Sequence, residues 1–366
     1  MRLSRQMIFW AATLIAVLAA LWLVRDILLP FAAGMALAYL LDPLANRMER
    51  IGVSRLWATL AILAAFILLF LLLIVSIGPV LASNVAAFLE RLPSYAARLQ
   101  HILTDPSRPW LSKLVEGFPD SEAAIGKFVQ QGVGWLAAFV GSLWSGGQAL
   151  LSLLSLLVVT PVVAFYLIYD WSRIVAALDR WTPLPYRATV RELGRQMDEA
   201  IAGFVRGQTS VCLILGAFYA IALSLAGLHF SILIGIVSGL LSFIPYVGSL
   251  TGLLLAGGVA LAQFFPNWTP IAIVIGIFLV GQAFEGNVLS PRLVGKSVGL
   301  HPVWLMFAMF AFGSLFGFVG LLLAVPLAAV IGVLARFALR QYLASPFYTG
   351  GEEGQGEETN SRIENG

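Results

Sequence analysis

The chain has 366 residues, of which 60% are hydrophobic and only 11% are charged. About a quarter of the residues in soluble globular domains are charged, so this composition excludes that class and indicates an integral membrane protein. Five Glu and one Arg follow position 349, which leaves 21 cations and 14 anions, or +7, on the rest of the chain. That excess suits basic loops at an anionic membrane surface better than a nucleic-acid site.

Apolar runs along the chain predict its membrane spans. A helix rises about 1.5 Å per residue and needs roughly 20 apolar residues to cross the hydrocarbon core of a bilayer. Runs of this kind are 7–28, 57–78, 147–169, 207–227 and 269–289. Shorter runs at 29–41, 230–245 and 249–265, and a long run at 302–338 divided by GSLFGFVG, predict short spans or hairpins that enter and return. We expect the first run to be retained rather than cleaved as a signal peptide.

The expected fold is therefore an all-α polytopic membrane protein with about 8 transmembrane helices, short or re-entrant helical hairpins and a helical extramembrane insert. Helical periodicity with interleaved charges, interrupted at Pro93, predicts an amphipathic insert outside the membrane. A polar, acidic and Gly-rich end cannot bury enough apolar surface to order itself, so we expect a disordered tail. The domains that follow are transmembrane helices at 1–79, the extracytoplasmic insert at 80–146, a transport domain at 147–345 with a cytoplasmic loop at 170–206, and the tail at 346–366.

The distribution of Lys and Arg predicts the orientation, because short cytoplasmic loops carry an excess of these residues. Loops such as AGLHF and FFPNW contain none, and we place them outside. Both termini are then cytoplasmic. The cations on the cytoplasmic side are Arg47, Arg50, Arg55, Arg173, Arg180, Arg187, Arg191, Arg195, Arg206, Arg292, Lys296, Arg336 and Arg340.

Residue patterns for catalysis are weak. The three histidines, His101, His229 and His301, fall on different predicted elements, so no metal or acid–base cluster is expected. The segment SPRLVGKS ends like a phosphate-binding loop, but Ser290 stands where the first glycine belongs and no strand precedes it. The sequence therefore predicts neither an enzyme nor a nucleotide-driven pump, and it predicts no cofactor.

Polar residues near the inner end of the 269–289 span are the first candidates for function. Glu285 is the only acidic residue between Glu199 and the tail, with Gln282 one helical turn earlier and Asn287 two residues later. Ionisable groups at membrane depth are expensive, so they mark a pathway or pair with each other. Two interpretations stay open: a role in binding or coupling, or pairing at the interface with the cytoplasmic charge partners Arg292 and Lys296.

A similar ambiguity applies to the start of the 207–227 span, which opens with Arg206 and Gln208. Arg206 could simply extend to the interface, as long basic side chains do. Its alternative role is as a charged group at the cytoplasmic mouth of a transport path, with Gln208 supplying hydrogen bonds.

Glycine and proline divide two apolar regions. Broken backbone at membrane depth is tolerated only inside protein or beside a water-filled cavity, and transporters build substrate sites from it. Close helix packing through small residues is the alternative. The break near 243–252 contains Pro245, Tyr246 and Gly248. The break near 313–320 contains Gly313, Gly317 and Gly320.

Taken in order, the segments FVRGQ (204–208), FIPYVGSLTG (243–252), EGNVLSPRLVGKSVGLHP (285–302) and GSLFGFVGLLLAVPLAAV (313–330) resemble the autoinducer-2 exporter (AI-2E) family of bacterial permease-like proteins. The resemblance implies an all-helical transporter of the bacterial inner membrane without an ATPase. It also implies a homo-oligomer, a pentamer if the chain follows the family. Family members are associated with export of the quorum-sensing signal autoinducer-2, and some with sodium or lithium/proton antiport.

Three hypotheses follow. The first is a secondary transporter or facilitator for a small polar solute, foremost autoinducer-2, with its path between the two broken hairpins. The second is sodium (or lithium)/proton antiport, in which Glu285 alternately binds a proton and a monovalent cation; the scarcity of intramembrane carboxylates counts against it. The third is a scaffold that organises partners through its insert and basic loops. Besides the solute or cation, the lipid bilayer is the expected partner, and nucleic acid is not.

Overall fold

The computed structural model describes residues 13, 23, 27–103, 147–294, 299, 301–345 and 348. All regular structure in these residues is helical, and no strand occurs among them. Within the described residues, seven helices are long and apolar enough to cross a membrane. The chain is thus an all-α, multi-pass membrane protein, as the sequence predicts. The expected span at 7–28, most of the insert and the acidic tail lie outside the described residues.

The helices are numbered here in chain order. A single 3-10 turn, Leu184–Tyr186, stands between the third and fourth, and a π-helix, Glu285–Val294, continues directly from the seventh. Their bounds are α1 Leu28–Arg50, α2 Arg55–Leu103, α3 Gly147–Trp181, α4 Arg187–Leu225, α5 Ser231–Leu241, α6 Val247–Phe264, α7 Trp268–Phe284 and α8 Pro302–Leu343.

Two sequence-based expectations about helix ends are wrong. The break expected at Pro93 does not occur, because α2 continues through it to Leu103. Proline has a helical φ, and Pro93 is exposed, so the carbonyl that loses its partner can face solvent. The sequence also predicts a basic turn formed by Pro291 and Gly295, but Pro291 lies inside the π-helix, and Gly295 lies outside the described residues.

The chain folds into two compact units. The first comprises residues 1–174 and 205–295, and the second comprises 175–204 and 296–366. The first unit therefore contains α1, α2, α5, α6 and α7 with its π-helical extension, together with the larger parts of α3 and α4. The second contains α8 and the charged ends of α3 and α4.

The core of the first unit is built on one face of α4. Side chains four residues apart lie on the same side of a helix, and α4 buries Val211, Leu215, Tyr219 and Leu223 in this way. Helix α5 joins them at very short range, because a Cβ on its Gly235 or Gly239 would collide with the backbone of α4. The α4 side chains belong to one hydrophobic cluster with three residues of α7, which are Ile271, Val274 and Phe278.

Helices α5 and α6 form a hairpin. At 11 residues, α5 is about 16 Å long, well short of a bilayer core of about 30 Å. The turn after it ends at Tyr246, which adopts a left-handed φ of 67°. Two glycines of α6, Gly248 and Gly252, lie against Ser242 and Ser238 of α5. Side chains at those two positions would separate the arms, so the hairpin depends on both glycines.

Arg55, the first residue of α2, ties α1, α2 and α3 together. Its guanidinium donates hydrogen bonds to Asp42 Oδ1 at 2.6 Å, Asn46 Oδ1 at 2.5 Å and Glu49 Oε2 at 2.8 Å, all on α1. Its Nε donates to the carbonyl oxygen of Ile168 on α3 at 3.0 Å. The planar guanidinium can serve several acceptors at once, which a lysine ammonium cannot do with this geometry.

In the second unit, α8 is two helical arms with a break at Gly317, where φ is 61° and ψ is −137°. Gly320 packs against the carbonyl of Phe312. At the open end, Arg336 Nη1 lies 3.5 Å from the carbonyl oxygen of Gly299. These contacts place the two arms side by side as a hairpin. The first arm, 302–316, is roughly 22 Å long, so it is too short to cross a bilayer core.

The same unit contains an ionic cluster where the sequence predicts a cytoplasmic loop. Asp179 of α3 accepts two hydrogen bonds from Arg191 of α4, at 2.6 and 2.7 Å. Arg195 bonds to Glu192 and Glu199 within α4. The segment 170–206 is therefore mostly helical, with a short connection between Trp181 and Arg187.

Replacing Arg55 with lysine should lower the free energy of unfolding by about 1–3 kcal/mol, because at least two charge-assisted hydrogen bonds are lost from a half-buried cluster. Thermal unfolding in detergent measures the effect. Arg50→Lys is the matched control, since Arg50 is exposed. Equal unfolding temperatures for the two variants would show that the Arg55 cluster contributes nothing to stability.

Gly320→Ala should destabilise the α8 hairpin, because the new methyl group would collide with the Phe312 carbonyl oxygen. Gly276→Ala in α7 meets nothing within 4 Å, and Ala is the better helix former by up to about 1 kcal/mol. The two substitutions should therefore shift the unfolding temperature in opposite directions. A Gly320→Ala variant as stable as wild type would rule out the close approach of the two arms.

Candidate functional site

Glu285 occupies a core-facing position at the C-terminal end of α7. The buried residues of this helix recur every three or four positions, and Glu285 continues the series with 7% of its surface exposed. Residues at that spacing share one helix face. The carboxyl group thus lies where the pattern otherwise places apolar side chains. The series is Ile271, Val274, Phe278, Gly281, Glu285 and Leu289.

Within the described parts of the chain, no cation forms an ion pair with Glu285. Arg292, one of the two expected charge partners, is exposed, and Lys296 lies outside the described residues. A buried carboxylate without a cation is costly. Arg292 is not a partner of Glu285 in this structure, and a role of Glu285 in binding or coupling stays a prediction.

The π-helix begins at Glu285 itself. π-helical turns are rare and occur frequently at functional sites. The segment lies close to α4, because Gly207 has no Cβ to collide with the carbonyl of Leu293. The glycine of the FVRGQ segment thus allows the backbones of α4 and the π-helix to meet.

Gln208, the next residue of α4, has a structural contact. Its side chain is 5% exposed, and its Nε2 donates to the carbonyl oxygen of Ser242 at 2.5 Å. Ser242 is the residue at the end of α5, where carbonyl groups have no partner within the helix. Gln208 therefore caps the C-terminal end of α5 at the turn of the α5–α6 hairpin, a role that uses one of its hydrogen-bonding groups.

Gln282 bridges α7 to the same hairpin. Ser249 Oγ on α6 donates to Gln282 Oε1 at 2.5 Å. The amide nitrogen of Gln282 donates to no other described residue, so both of its N–H groups remain available to a ligand. Ser249 was not among the residues expected from the sequence to belong to the site. Its polar side chain within FIPYVGSLTG was the available signal, but nothing in one sequence shows that it faces Gln282.

The other candidates from the sequence are more peripheral. Arg206 is exposed, and its Nε donates to the carbonyl oxygen of Tyr39 on α1 at 2.9 Å. Asn287 is exposed and donates to the Ala283 carbonyl at 2.8 Å. Among the described residues, no hydrogen bond or ion pair joins Arg206 or Asn287 to Glu285. The remaining members are Tyr246, which is 53% exposed, Pro245, which is half-buried, and Gly248, which is buried.

The three C-terminal glycines belong to the second unit and form the α8 hairpin. Gly317 supplies the left-handed φ, Gly320 faces the Phe312 carbonyl, and Gly313 packs against Leu321. The transport path that the sequence analysis places between this hairpin and the α5–α6 hairpin stays a prediction. Among the described residues, no group of three or more His, Cys, Asp or Glu side chains could hold a metal ion.

Membrane-spanning helices, two hairpins with short arms and buried polar groups inside the first unit together define a polytopic membrane protein of the transporter class. Residues 12–340 match the family of AI-2E family transporters. The chain is 30% identical to YrrI of Bacillus subtilis (strain 168), named as a transport protein, over 87% of this chain and 89% of the relative. It is 28% identical to PerM of Escherichia coli (strain K12), named as a permease, with the same coverage of both chains. The chain belongs to the AI-2E family.

Gly207→Ala should displace the π-helix from α4, because its methyl group would overlap the Leu293 backbone. We expect a lower unfolding temperature and slower transport than in wild type. Gly194→Ala, on the same helix, meets nothing within 4 Å, so it should lower neither the unfolding temperature nor the rate of transport. Solute flux and unfolding temperature of the two variants, measured side by side, test this contact. Wild-type behaviour of Gly207→Ala would contradict it.

Proposed function

We propose that this protein is a secondary transporter or facilitator that exports a small polar solute, with autoinducer-2 as the foremost candidate. The observation that carries the proposal is Glu285, buried on the core-facing stripe of α7 with no cationic partner among the described residues. The names of its relatives support transport in general. We propose no catalytic activity for the chain.

The chemistry of the site suits a neutral, hydroxyl-bearing solute. The Glu285 carboxylate accepts hydrogen bonds, and the free N–H groups of Gln282 donate them. A neutral sugar-like molecule needs both kinds of partner and no compensating charge. Gln208 and Asn287 already donate to carbonyl groups, so they contribute less to such a site in this conformation.

The membrane arrangement belongs to the same proposal. We place the protein in the bacterial inner membrane with both termini in the cytoplasm, because the charged ends of α3 and α4 are rich in arginine. We also propose a homo-oligomer, a pentamer if it follows the family. The apolar surface of α2 between Leu68 and Val75, exposed in one chain, is available to lipid or to neighbouring copies.

Sodium or lithium/proton antiport is the second candidate. The same observation favours it, because an unpaired carboxylate could bind a proton and a monovalent cation in turn. One fact counts against it: Glu285 is the only buried carboxylate in the described residues. A cation that leaves its water shell usually needs several oxygen ligands, and a single carboxylate supplies only two.

Flux through proteoliposomes that contain the Glu285→Gln variant tests the proposal. If Glu285 binds the solute, loss of a charged hydrogen-bond partner should slow autoinducer-2 export about 10- to 100-fold. Glu199→Gln is the matched control, because this carboxylate is exposed and, among the described residues, pairs only with Arg195.

Sodium flux measured on the same vesicles separates the two candidates. If the variant loses sodium flux but still exports autoinducer-2, antiport becomes the supported function and solute export through Glu285 is contradicted. Wild-type flux of both species through Glu285→Gln would contradict both candidates.

A further inference from the structure

Tyr219 is a second polar residue inside the core of the first unit. The side chain has no exposed surface, and its ring stacks on Phe278 of α7 with centroids 4.5 Å apart. It occupies the middle of the α4 face formed by Val211, Leu215 and Leu223. The ring therefore behaves as a core residue, and only the hydroxyl group distinguishes it from phenylalanine.

The Tyr219 hydroxyl has no hydrogen-bond partner in the part of the chain that the structure describes. It fills the notch that Gly281 leaves on α7, since a Cβ at position 281 would collide with the hydroxyl oxygen. Buried polar groups are nearly always hydrogen-bonded, so an orphaned hydroxyl requires a specific explanation. A phenylalanine would pack the same ring without that penalty.

Gly281, which the Tyr219 hydroxyl contacts, lies one helical turn before Glu285. Residues four apart on a helix have Cβ atoms about 5–6 Å apart, and side chains lean toward the N-terminal end of the helix. By this geometry we expect the Glu285 side chain to lean toward Gly281, and therefore toward the Tyr219 hydroxyl that packs against Gly281. No hydrogen bond joins the two groups directly. Two consecutive O–H···O bonds span about 5.5 Å, the same separation as one helical turn, so a single oxygen that bonds to both groups is the bridge this spacing suits.

We propose that Tyr219 is the second protein group that holds the transported solute, donating its O–H to a solute hydroxyl that in turn donates to the Glu285 carboxylate. This inference rests on the proposed function, because it assigns a further ligand to the same site. Tyr219 is fully buried and Glu285 is 7% exposed, so both groups lie within the first unit.

The hydrogen-bonding groups of Tyr219 and Glu285 determine which kind of molecule can bind between them. A hydroxyl is one donor and two acceptors, so it satisfies the phenol and the carboxylate at the same time. A bare monovalent cation would take a lone pair of the phenol oxygen and leave the O–H still without an acceptor. Tyr219 therefore favours a hydroxyl-bearing solute over a metal ion. A water molecule could make the same two hydrogen bonds as a solute hydroxyl. The experiment below distinguishes a bridging water from a bridging solute.

Tyr219→Phe removes the hydroxyl and keeps the ring stacked on Phe278. In proteoliposomes we expect the KM for autoinducer-2 export to rise about 3- to 10-fold, the loss of one neutral hydrogen bond, with a smaller change in kcat. Sodium flux and the unfolding temperature of the unliganded protein should not fall. Tyr166→Phe is the matched control, because Tyr166 is 59% exposed on α3.

Binding provides a second readout that does not depend on turnover. Autoinducer-2 should raise the unfolding temperature of wild type more than that of Tyr219→Phe at the same concentration. An unchanged KM and an equal temperature rise would overturn the inference, because a hydroxyl bridged only by water contributes nothing to solute affinity.

The double variant Tyr219→Phe/Glu285→Gln separates this inference from the proposed function. If both groups hold one solute, the combined loss is smaller than the product of the two single losses. Slow export by Glu285→Gln together with a wild-type KM for Tyr219→Phe would overturn the role of Tyr219 alone. Wild-type export by Glu285→Gln would instead overturn the site on which both proposals rest.

Discussion

Hydrocarbon offers no hydrogen bonds, and this constraint accounts for most of the polar contacts in the first unit. Each backbone or side-chain polar group inside the membrane must find a partner within the protein. The end of α5 shows how this is done. Gln208 bonds to the Ser242 carbonyl, and Ser238 and Ser242 donate to carbonyl groups one turn earlier in their own helix. Two groups in the described chain differ from this pattern. The Tyr219 hydroxyl has no hydrogen-bond partner there, and the Glu285 carboxylate has no cationic partner.

Glycine makes the tight packing around these groups possible. Gly281 accommodates the Tyr219 hydroxyl, Gly207 accommodates the Leu293 carbonyl, and Gly248 and Gly252 accommodate two serines of α5. In each case a methyl group would force neighbouring groups apart. The short arms of the α5–α6 and α8 hairpins follow from breaks at Tyr246 and Gly317, both with positive φ. Small residues thus determine which polar atoms come within reach of one another.

The long-range part of this arrangement was only partly predictable from sequence. Apolar run length located the spans within α2, α4 and α7, because a bilayer imposes a minimum length. Because acidic residues are scarce in the apolar part of the sequence, Glu285 could be identified as a candidate for function. Neither signal contains the register between two helices, which decides that Tyr219 meets Gly281 and that Ser249 meets Gln282. The expected break at Pro93 failed because one proline costs one hydrogen bond, and an exposed helix tolerates that loss. The Arg55 cluster was predicted only as part of a basic loop, since its acceptors come from α1 and α3.

Both proposals require that the Glu285 carboxyl group lies inside the helix bundle and touches the transported solute. Modification by a membrane-soluble carbodiimide, followed by mass spectrometry of the peptide that contains Glu285, tests this requirement directly. We predict that Glu285 reacts in lipid vesicles and that autoinducer-2 protects it, whereas a water-soluble carbodiimide modifies exposed carboxylates such as Glu199 instead. Reaction of Glu285 with the water-soluble reagent at the rate of Glu199, or no protection by autoinducer-2 or sodium, would contradict it.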